Sequence, residues 1–516
     1  MGIFRYFYWH FQTYPDTIIQ VQKGQRIGGF DLFALDLNAI FHPVCQRYYF
    51  ENPGVKTNEG CYLEICKEID MLLSYVEPKE ELILSIDGVA GMSKVNQQRQ
   101  RRYRSAKEKS AADRAVFDTN QISVGTEWLR GLSNAIRAYF CVKKIKYTVI
   151  LQDESIIGEG EHKIIRYLQG KDKKRICIYS PDADLLMLGL VLGKKNIFIF
   201  RPNVYNQLDI AYFLVSMDKF KRSISKMIDP QEKYPDRVDP IVRDFIFLLF
   251  FLGNDFLPHS PSYEIRYGGI DKILDLYHTA LLDRELELVH IESGVYHIHT
   301  RAFRYVLEEL SKQEKNMIQK RYKFFRGFPD RMLDKYIVTL DQSFDAYRSE
   351  YYQHHFPQQS IDTVCHEYIR GLCFVGTYYH IGMPDWWYVY PFRHGPFFQE
   401  LYDYVCRQSD GMLSFTFQQN YPLRPLEQLM CVLPYESRKW LPIGLQKYYE
   451  EGSELIQMYP REFEVDRDGV SNEYEALVIL PNIPLDKVQE IMNREESTFT
   501  KEEQNRNKHT PLIIHY

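Results

Sequence analysis

The segment Gly158-Glu159-Gly160-Glu161-His162-Lys163, followed by Ser180-Pro181-Asp182-Ala183-Asp184, constrains the fold of this chain most strongly. It presents two pairs of carboxylates, one residue separating the members of each pair, near junctions of an expected strand and an expected helix. Asp36 follows the apolar run 32–35, Asp87 the run 82–86, and Asp255 the run 245–253. If the fold gathers Asp36, Asp87, Glu159, Glu161, Asp182, Asp184 and Asp255, they cannot all stay ionised without a cation among them. Hard divalent cations take oxygen ligands and few protein groups apiece. The economical reading is a two-metal centre that cleaves phosphodiesters.

Each acid alone has a plainer explanation. An Asp just after a strand caps a helix or a turn more often than it binds a metal, and a Glu in the first turn suits the helix dipole. Caps do not, however, call for a Glu-Gly-Glu and an Asp-Ala-Asp pair with three further acids in one fold. The glycines beside Glu159 also permit the close backbone approach that crowded carboxylates need.

The first half alternates. Strands are expected at 31–37, 81–86, 146–151, 175–179 and 197–200, and helices at 61–76, 94–109, 125–140, 161–169 and 185–192. This order predicts an α/β fold, a mostly parallel twisted sheet flanked by helices. Ligands of such sheets collect at the carboxyl ends of the strands, where Asp36, Asp87 and Asp182 fall. The run 245–253 is too short to span a bilayer and reads as a buried helix. Residues 286–360 form a helical connecting segment, with a loop at 354–360. Residues 361–490 mix helix with Pro-rich irregular stretches as a second, mainly helical α+β region. Residues 491–516 read as a polar tail, mobile from 493 to 510. The first unit is then 1–285.

The net charge of −5 excludes a generally basic coat protein, but the charge is segregated. Between 94 and 109 stand Lys94, Arg99, Arg101, Arg102, Arg104, Lys107 and Lys109 against one acid, Glu108. With Ser93 as its cap, a helix from Lys94 puts Lys94, Gln98, Arg101 and Arg102 on one face. A solvated surface is the usual meaning of a basic run. This face has no acids to pair with, and it follows Asp87 closely, so a phosphate socket is the competing reading. His42 by itself reads as structural. Trp386 and Trp387 read equally as core residues or as base-stacking platforms.

The nine cysteines are scattered and show no Cys-x-x-Cys, which fits a reducing compartment. The N-terminus lacks the pattern of a signal peptide or a myristoylation site. A cytoplasmic location is expected on these grounds, with a nuclear or viral setting left open.

Taken together, the motifs resemble the Xrn family of 5′→3′ exoribonucleases. The resemblance runs through the N-terminal Met1-Gly-Ile-Phe-Arg-Tyr-Phe-Tyr-Trp9, Leu35-Asp-Leu-Asn-Ala-Ile-Phe-His42, Ser85-Ile-Asp-Gly-Val-Ala90 and Asn96-Gln-Gln-Arg-Gln-Arg-Arg-Tyr-Arg-Ser-Ala106. It continues through 158–163, 182–190, Phe251-Leu-Gly-Asn-Asp-Phe-Leu-Pro-His259, 386–396, 425–434 and 473–481. The resemblance implies a PIN/FEN-like nuclease core (1–285) closed by a second conserved region (361–490), without C-terminal extension modules. It implies that all seven acids bind metal and act in catalysis, with two Mg²⁺ ions, or Mn²⁺, as cofactor. It further implies that Lys94, Gln98, Arg101 and Arg102 hold the 5′ phosphate, and that His42 and Trp386 (or its neighbour Trp387) stack bases. The activity implied is processive hydrolysis of 5′-monophosphorylated single-stranded RNA, as in decay of decapped mRNA, by a monomer with no membrane partner. Decapping factors as partners do not follow from the residues. A flap-endonuclease-like enzyme and a non-catalytic RNA-end-binding scaffold are the alternatives. Ala39 replaces a usual Gly, Ile157 a usual Pro, and Ser180-Pro181 the usual residues before Asp-Ala-Asp; these touch backbone detail rather than chemistry.

Overall fold

A computed structural model of the protein describes residues 5–108, 117–205, 209–280 and 286–510. Residues 1–4 of the N-terminal motif and Lys109 of the basic stretch lie outside the described residues. A seven-stranded sheet organises the first half: β1 (Ile18–Gln22), β2 (Leu32–Asp36), β3 (Glu81–Ser85), β4 (Thr148–Gln152), β5 (Ile176–Tyr179), β6 (Ile197–Pro202) and β7 (Ile210–Ser216). The order is β1-β7-β6-β5-β2-β3-β4. β6, β5, β2, β3 and β4 are parallel neighbours, and β7 runs against both β6 and β1.

The pleat explains why these strands are nearly all apolar. Alternate residues face opposite sides, and both sides are covered. Leu32, Ala34, Ile83, Ile178 and Ile199 enter one core; Phe33, Leu35, Leu82, Leu84 and Cys177 enter the other. Truncating a fully buried residue such as Ile83 to alanine costs roughly 2–5 kcal/mol. The chain moves from β2 to β3 and β4 on one side, then returns to β5 and β6 on the other. The topological switch therefore lies at β2, the strand that ends in Asp36.

The expected parallel strands are present. β1 and β7 were not expected; the edge strand β1, with the burial of Ile18–Gln22, carries little apolar signal, whereas β7 is an apolar, largely buried run that the alternating pattern passed over. The basic helix runs Met92–Glu108. It starts before Lys94, so Ser93 is no cap; its hydroxyl donates to the Tyr388 carbonyl at 2.5 Å. The run 245–253 continues the helix Val238–Leu249 into a 3₁₀ turn, Phe250–Leu252, and is buried.

The second half contributes helices Thr300–Phe324, Leu340–His355 and Ile361–His380, the last reaching the sheet's carboxyl edge. The segment 493–510, expected to be mobile, instead forms a structured return. The helix Leu485–Glu495 crosses residue 490, and a capping box of Thr500 and Glu503 starts the helix Lys501–Arg506. Asn507 Oδ1 accepts from the Leu426 amide at 2.9 Å, and the Thr510 amide donates to the Ser155 carbonyl at 3.1 Å. Its polar composition concealed these caps and tertiary hydrogen bonds. Among the described residues no helix is long and apolar enough to cross a membrane.

Candidate active site

The acids converge at the carboxyl edge of the sheet. Asp36 is the last residue of β2, and Ser180 Oγ donates to its Oδ2 at 3.0 Å. Asp87 lies just past β3; its amide donates to Asn38 Oδ1 at 2.9 Å, and its Oδ1 accepts from the Gly160 amide at 2.6 Å. A Cβ on Gly160 would stand 3.1 Å from Asp36 Oδ1 and 3.3 Å from Asp87 Oδ1, so the bare glycine lets the two carboxylates close on the helix Gly160–Gln169. Gly158, at φ +102°, turns the chain where a side chain is strained. Glu161, Asp182 and Asp184 each bring an oxygen within 4.8 Å of the others.

Lys94 ties the remaining two acids in. Its Nζ lies 2.5 Å from Glu159 Oε2 and 2.7 Å from Asp255 Oδ2, and Gln97 Nε2 donates to Asp255 Oδ1 at 3.1 Å. Structure thus joins Asp255 to the cluster and puts Lys94 inside it. Arg101 is exposed on the same helix and its charge is felt at Asp255. Arg102 donates to Ser123 Oγ. Gln98 is half-buried one turn beyond Lys94.

The electrostatics divide the cluster. Burial, then the charge of Asp87, pushes Asp36 up to about 7. Burial, then Asp182, pushes Asp184 up to about 8 and Glu161 well above the usual range. Burial and Glu159 raise Asp87. Burial would raise Glu159 and Asp255 too, but Lys94 holds both below the ordinary value. The close ion pairs of that ammonium are with Glu159 and Asp255, while its charge is also felt at Asp87, Glu161, Asp182 and Asp184. Asp184 Oδ1 is buried with no hydrogen-bond partner among the described residues. A buried carboxylate oxygen left over beside two more carboxylates, with Asp184 and Glu161 raised first by burial and then by the charge of Asp182, fits a divalent cation.

Several supporting residues carried no signal in the sequence. The Tyr378 hydroxyl, from the second half, donates to Glu159 Oε1 at 2.8 Å, while its ring stacks on His162 at 3.9 Å. Burial lowers His162 to about 4, so it is neutral at physiological pH. Lys163, 2% exposed, donates to the carbonyls of Ile86, Asp153 and Ile156 and so knots the ends of β3 and β4 under the acids. Only the His-Lys of the motif hinted at these roles.

The basic helix has two faces. Arg99 is 1% exposed and donates to the carbonyls of Pro481 at 2.6 Å and Met458 at 2.5 Å. Arg104 donates to the Tyr474 and Ala476 carbonyls, and Lys107 to that of Phe463. These cations satisfy backbone of the second half, which explains a basic run with so few acids. Lys94, Gln98, Arg101 and Arg102 occupy the other face.

His42 is exposed on the helix Asn38–Glu51, which leaves the carboxyl end of β2. Trp386 is half-buried, and its carbonyl accepts from the Met92 amide at 2.8 Å, beside the acids. Trp387 is committed elsewhere: its indole N–H donates to the Tyr421 carbonyl at 2.9 Å and it packs against a separate buried cluster that includes Leu426, Leu429 and Met430.

Fold and site define an α/β protein with a buried acidic centre suited to a divalent cation and flanked by a cationic helix. Family comparison agrees with that description. The profile of the "XRN 5'-3' exonuclease N-terminus" matches residues 1–203, and that of the "Xrn1 helical domain" matches 236–339 and 338–515. The chain belongs to the Xrn family of 5′→3′ exonucleases. It is 25% identical to the Homo sapiens "5'-3' exoribonuclease 1", over 100% of this chain and 35% of that protein. It is 26% identical to the Arabidopsis thaliana "5'-3' exoribonuclease 2", over 98% of this chain and 68% of that one. The catalytic core of Rad2 in complex with DNA is 13% identical over 74% of this chain and 96% of that one, with a TM-score of 0.31.

Proposed function

We propose that this protein is a processive 5′→3′ exoribonuclease that hydrolyses 5′-monophosphorylated single-stranded RNA to nucleoside 5′-monophosphates. The observation that carries this reading is the joint placement of seven acids, four buried and three half-buried, and the cationic helix through one residue, Lys94, which touches Glu159 and Asp255. A terminal phosphate gripped by that helix sits beside the acids, so the scissile bond one nucleotide along is presented to them.

Asp36, Asp87, Glu161, Asp182 and Asp184 would hold divalent ions, with Mg²⁺ the natural choice for an all-oxygen donor set. When bound, such ions supply an activated water and charge stabilisation at the leaving oxygen. The rest falls to side chains. Arg101 and Arg102 orient the end by charge-assisted hydrogen bonds. Lys94 loses a carboxylate partner as phosphate arrives, and Tyr378 keeps Glu159 oriented. His42 and Trp386 stack the first bases without reading sequence. Residues 1–285 form the nuclease unit and 361–490 wall the site so that unpaired ends alone enter. The unpaired state of all nine cysteines supports a cytoplasmic setting.

The test compares RNA with 5′-monophosphate, 5′-triphosphate, capped and circular ends in Mg²⁺. Rapid loss of the monophosphorylated strand, release of mononucleotides and sparing of circles are expected. Equal degradation of linear and circular RNA refutes the end-gripping reading.

A further inference from the structure

We propose that a second anion pocket, separate from the acidic centre, binds one nucleoside monophosphate. A cavity of about 490 Å³ is lined by Arg5, Arg266, Lys320 and Arg326, with Gly268 and Phe324 among its other walls, and no carboxylate lines it among the described residues. Lys320 and Arg326, facing one small space, repel one another and lower their energy by taking up an anion, while Arg5 and Arg266 add charge to its wall.

The pocket is built from four separated parts of the chain, around residues 5, 266–268, 320–326 and 471–472. Arg266 is oriented by Glu475 at 2.7 Å. Gly268 has φ +83°, and a Cβ there would stand 3.1 Å from Lys320 Nζ. The glycine thus meets two demands, a left-handed turn and room for an ammonium. Lys320 and Arg326 have no carboxylate partner among the described ion pairs, so their charge stays available. The helix Gly269–Ala280 starts at the pocket wall, adding a positive dipole end. Phe324, 55% exposed, supplies an apolar ring at the edge of this otherwise cationic space.

Guanidinium forks and an ammonium select a phosphate dianion. The ring adjoining them selects a flat, stackable group, and the volume is that of a small-ligand site. Phosphate, base and size together point to a mononucleotide rather than a strand. The cavity also borders the cationic helix at one remove: Glu475 adjoins Tyr474, whose carbonyl accepts from Arg104. The proposal stands whether or not the acidic centre cleaves RNA; if it does, the ligand is the product it releases.

The experiment is calorimetric titration of the full chain with AMP, adenosine and inorganic phosphate in EDTA, where no turnover occurs. In the Arg101→Ala with Arg102→Ala background, which removes the guanidinium grip of the 5′-phosphate face, AMP is expected to bind with one site, phosphate more weakly, and adenosine not at all. Lys320→Ala combined with Arg326→Ala, both at exposed positions, is expected to weaken AMP by about tenfold or more, with an unchanged melting temperature. Phe324→Ala is expected to weaken AMP but not phosphate. Wild-type AMP affinity in the double variant at positions 320 and 326 overturns the proposal. So does absence of AMP binding in the Arg101→Ala with Arg102→Ala background, or displacement of AMP by a 5′-hydroxyl oligonucleotide that binds tighter.

Discussion

Two groups of buried acids in this molecule look alike by burial and proton affinity, yet they do opposite work. Glu314 is raised to about 8 and Asp244 to about 7, in each case by burial. Asp184 and Asp36 reach about 8 and about 7. Glu314 accepts from the amides of Phe398 and Gln399 and from Ser262 Oγ. Asp244 accepts from the amides of Leu288 and Val289 and from the Tyr277 hydroxyl. Each is a lone acid that ties a second-half segment to its neighbours. Asp184 has an orphaned oxygen and acids for company. The difference shows that burial does not mark a catalytic carboxylate; unmet ligand capacity in a group does.

The sharpest way to break the comparison is to neutralise one acid from each group. Asp184→Asn is expected to lower RNA turnover in Mg²⁺ by roughly 10³-fold or more, with the melting temperature held or raised because a repelling charge is gone. Near-normal turnover by that variant counts against the metal assignment. Glu314→Ala is expected to do the reverse. It strands three donors and costs about 2–4 kcal/mol in denaturant unfolding, while turnover per folded molecule stays near the parent's.

A smaller effect separates the groups in solution. At pH 8, adding Mg²⁺ to metal-free protein is expected to stabilise it by about 2.7 kcal/mol at a hundred times the dissociation constant. Asp184→Asn should abolish most of that gain and Glu314→Gln should leave it intact. The pH dependence refines this. Acids raised in the folded state bind more protons folded than unfolded, so stability falls as pH climbs from about 4 toward 8. Both groups contribute to that slope without metal. Saturating Mg²⁺ should remove the share of the cluster and leave that of Glu314 and Asp244, read by melting temperature across pH.

The parallel strands and the seven acids were legible because their signals are local: short apolar runs, and carboxylates just past them. Glu-Gly-Glu and Asp-Ala-Asp say where the crowding occurs, and Gly160 says how it is tolerated. Tyr378 was not legible, since a tyrosine on a mostly apolar helix gives no hint of the Glu159 it meets from 219 positions away. The position of Lys94 within the acids was hidden for the same reason. Periodicity gave its face of the helix, and tertiary packing chose its partners. The expected mobility of 493–510 was misread from polarity, which does not distinguish a free tail from one held by caps and amide hydrogen bonds.

The joining of the two halves bears on when such a molecule becomes dangerous to RNA. All seven acids have been synthesised once the ribosome passes residue 255. Tyr378, which steadies Glu159, and Gln428, whose Oε1 accepts from the Ala90 amide at 2.8 Å, follow much later. A nascent chain therefore carries every acid before the second-half residues that hold Glu159 and Ala90 in place have been made.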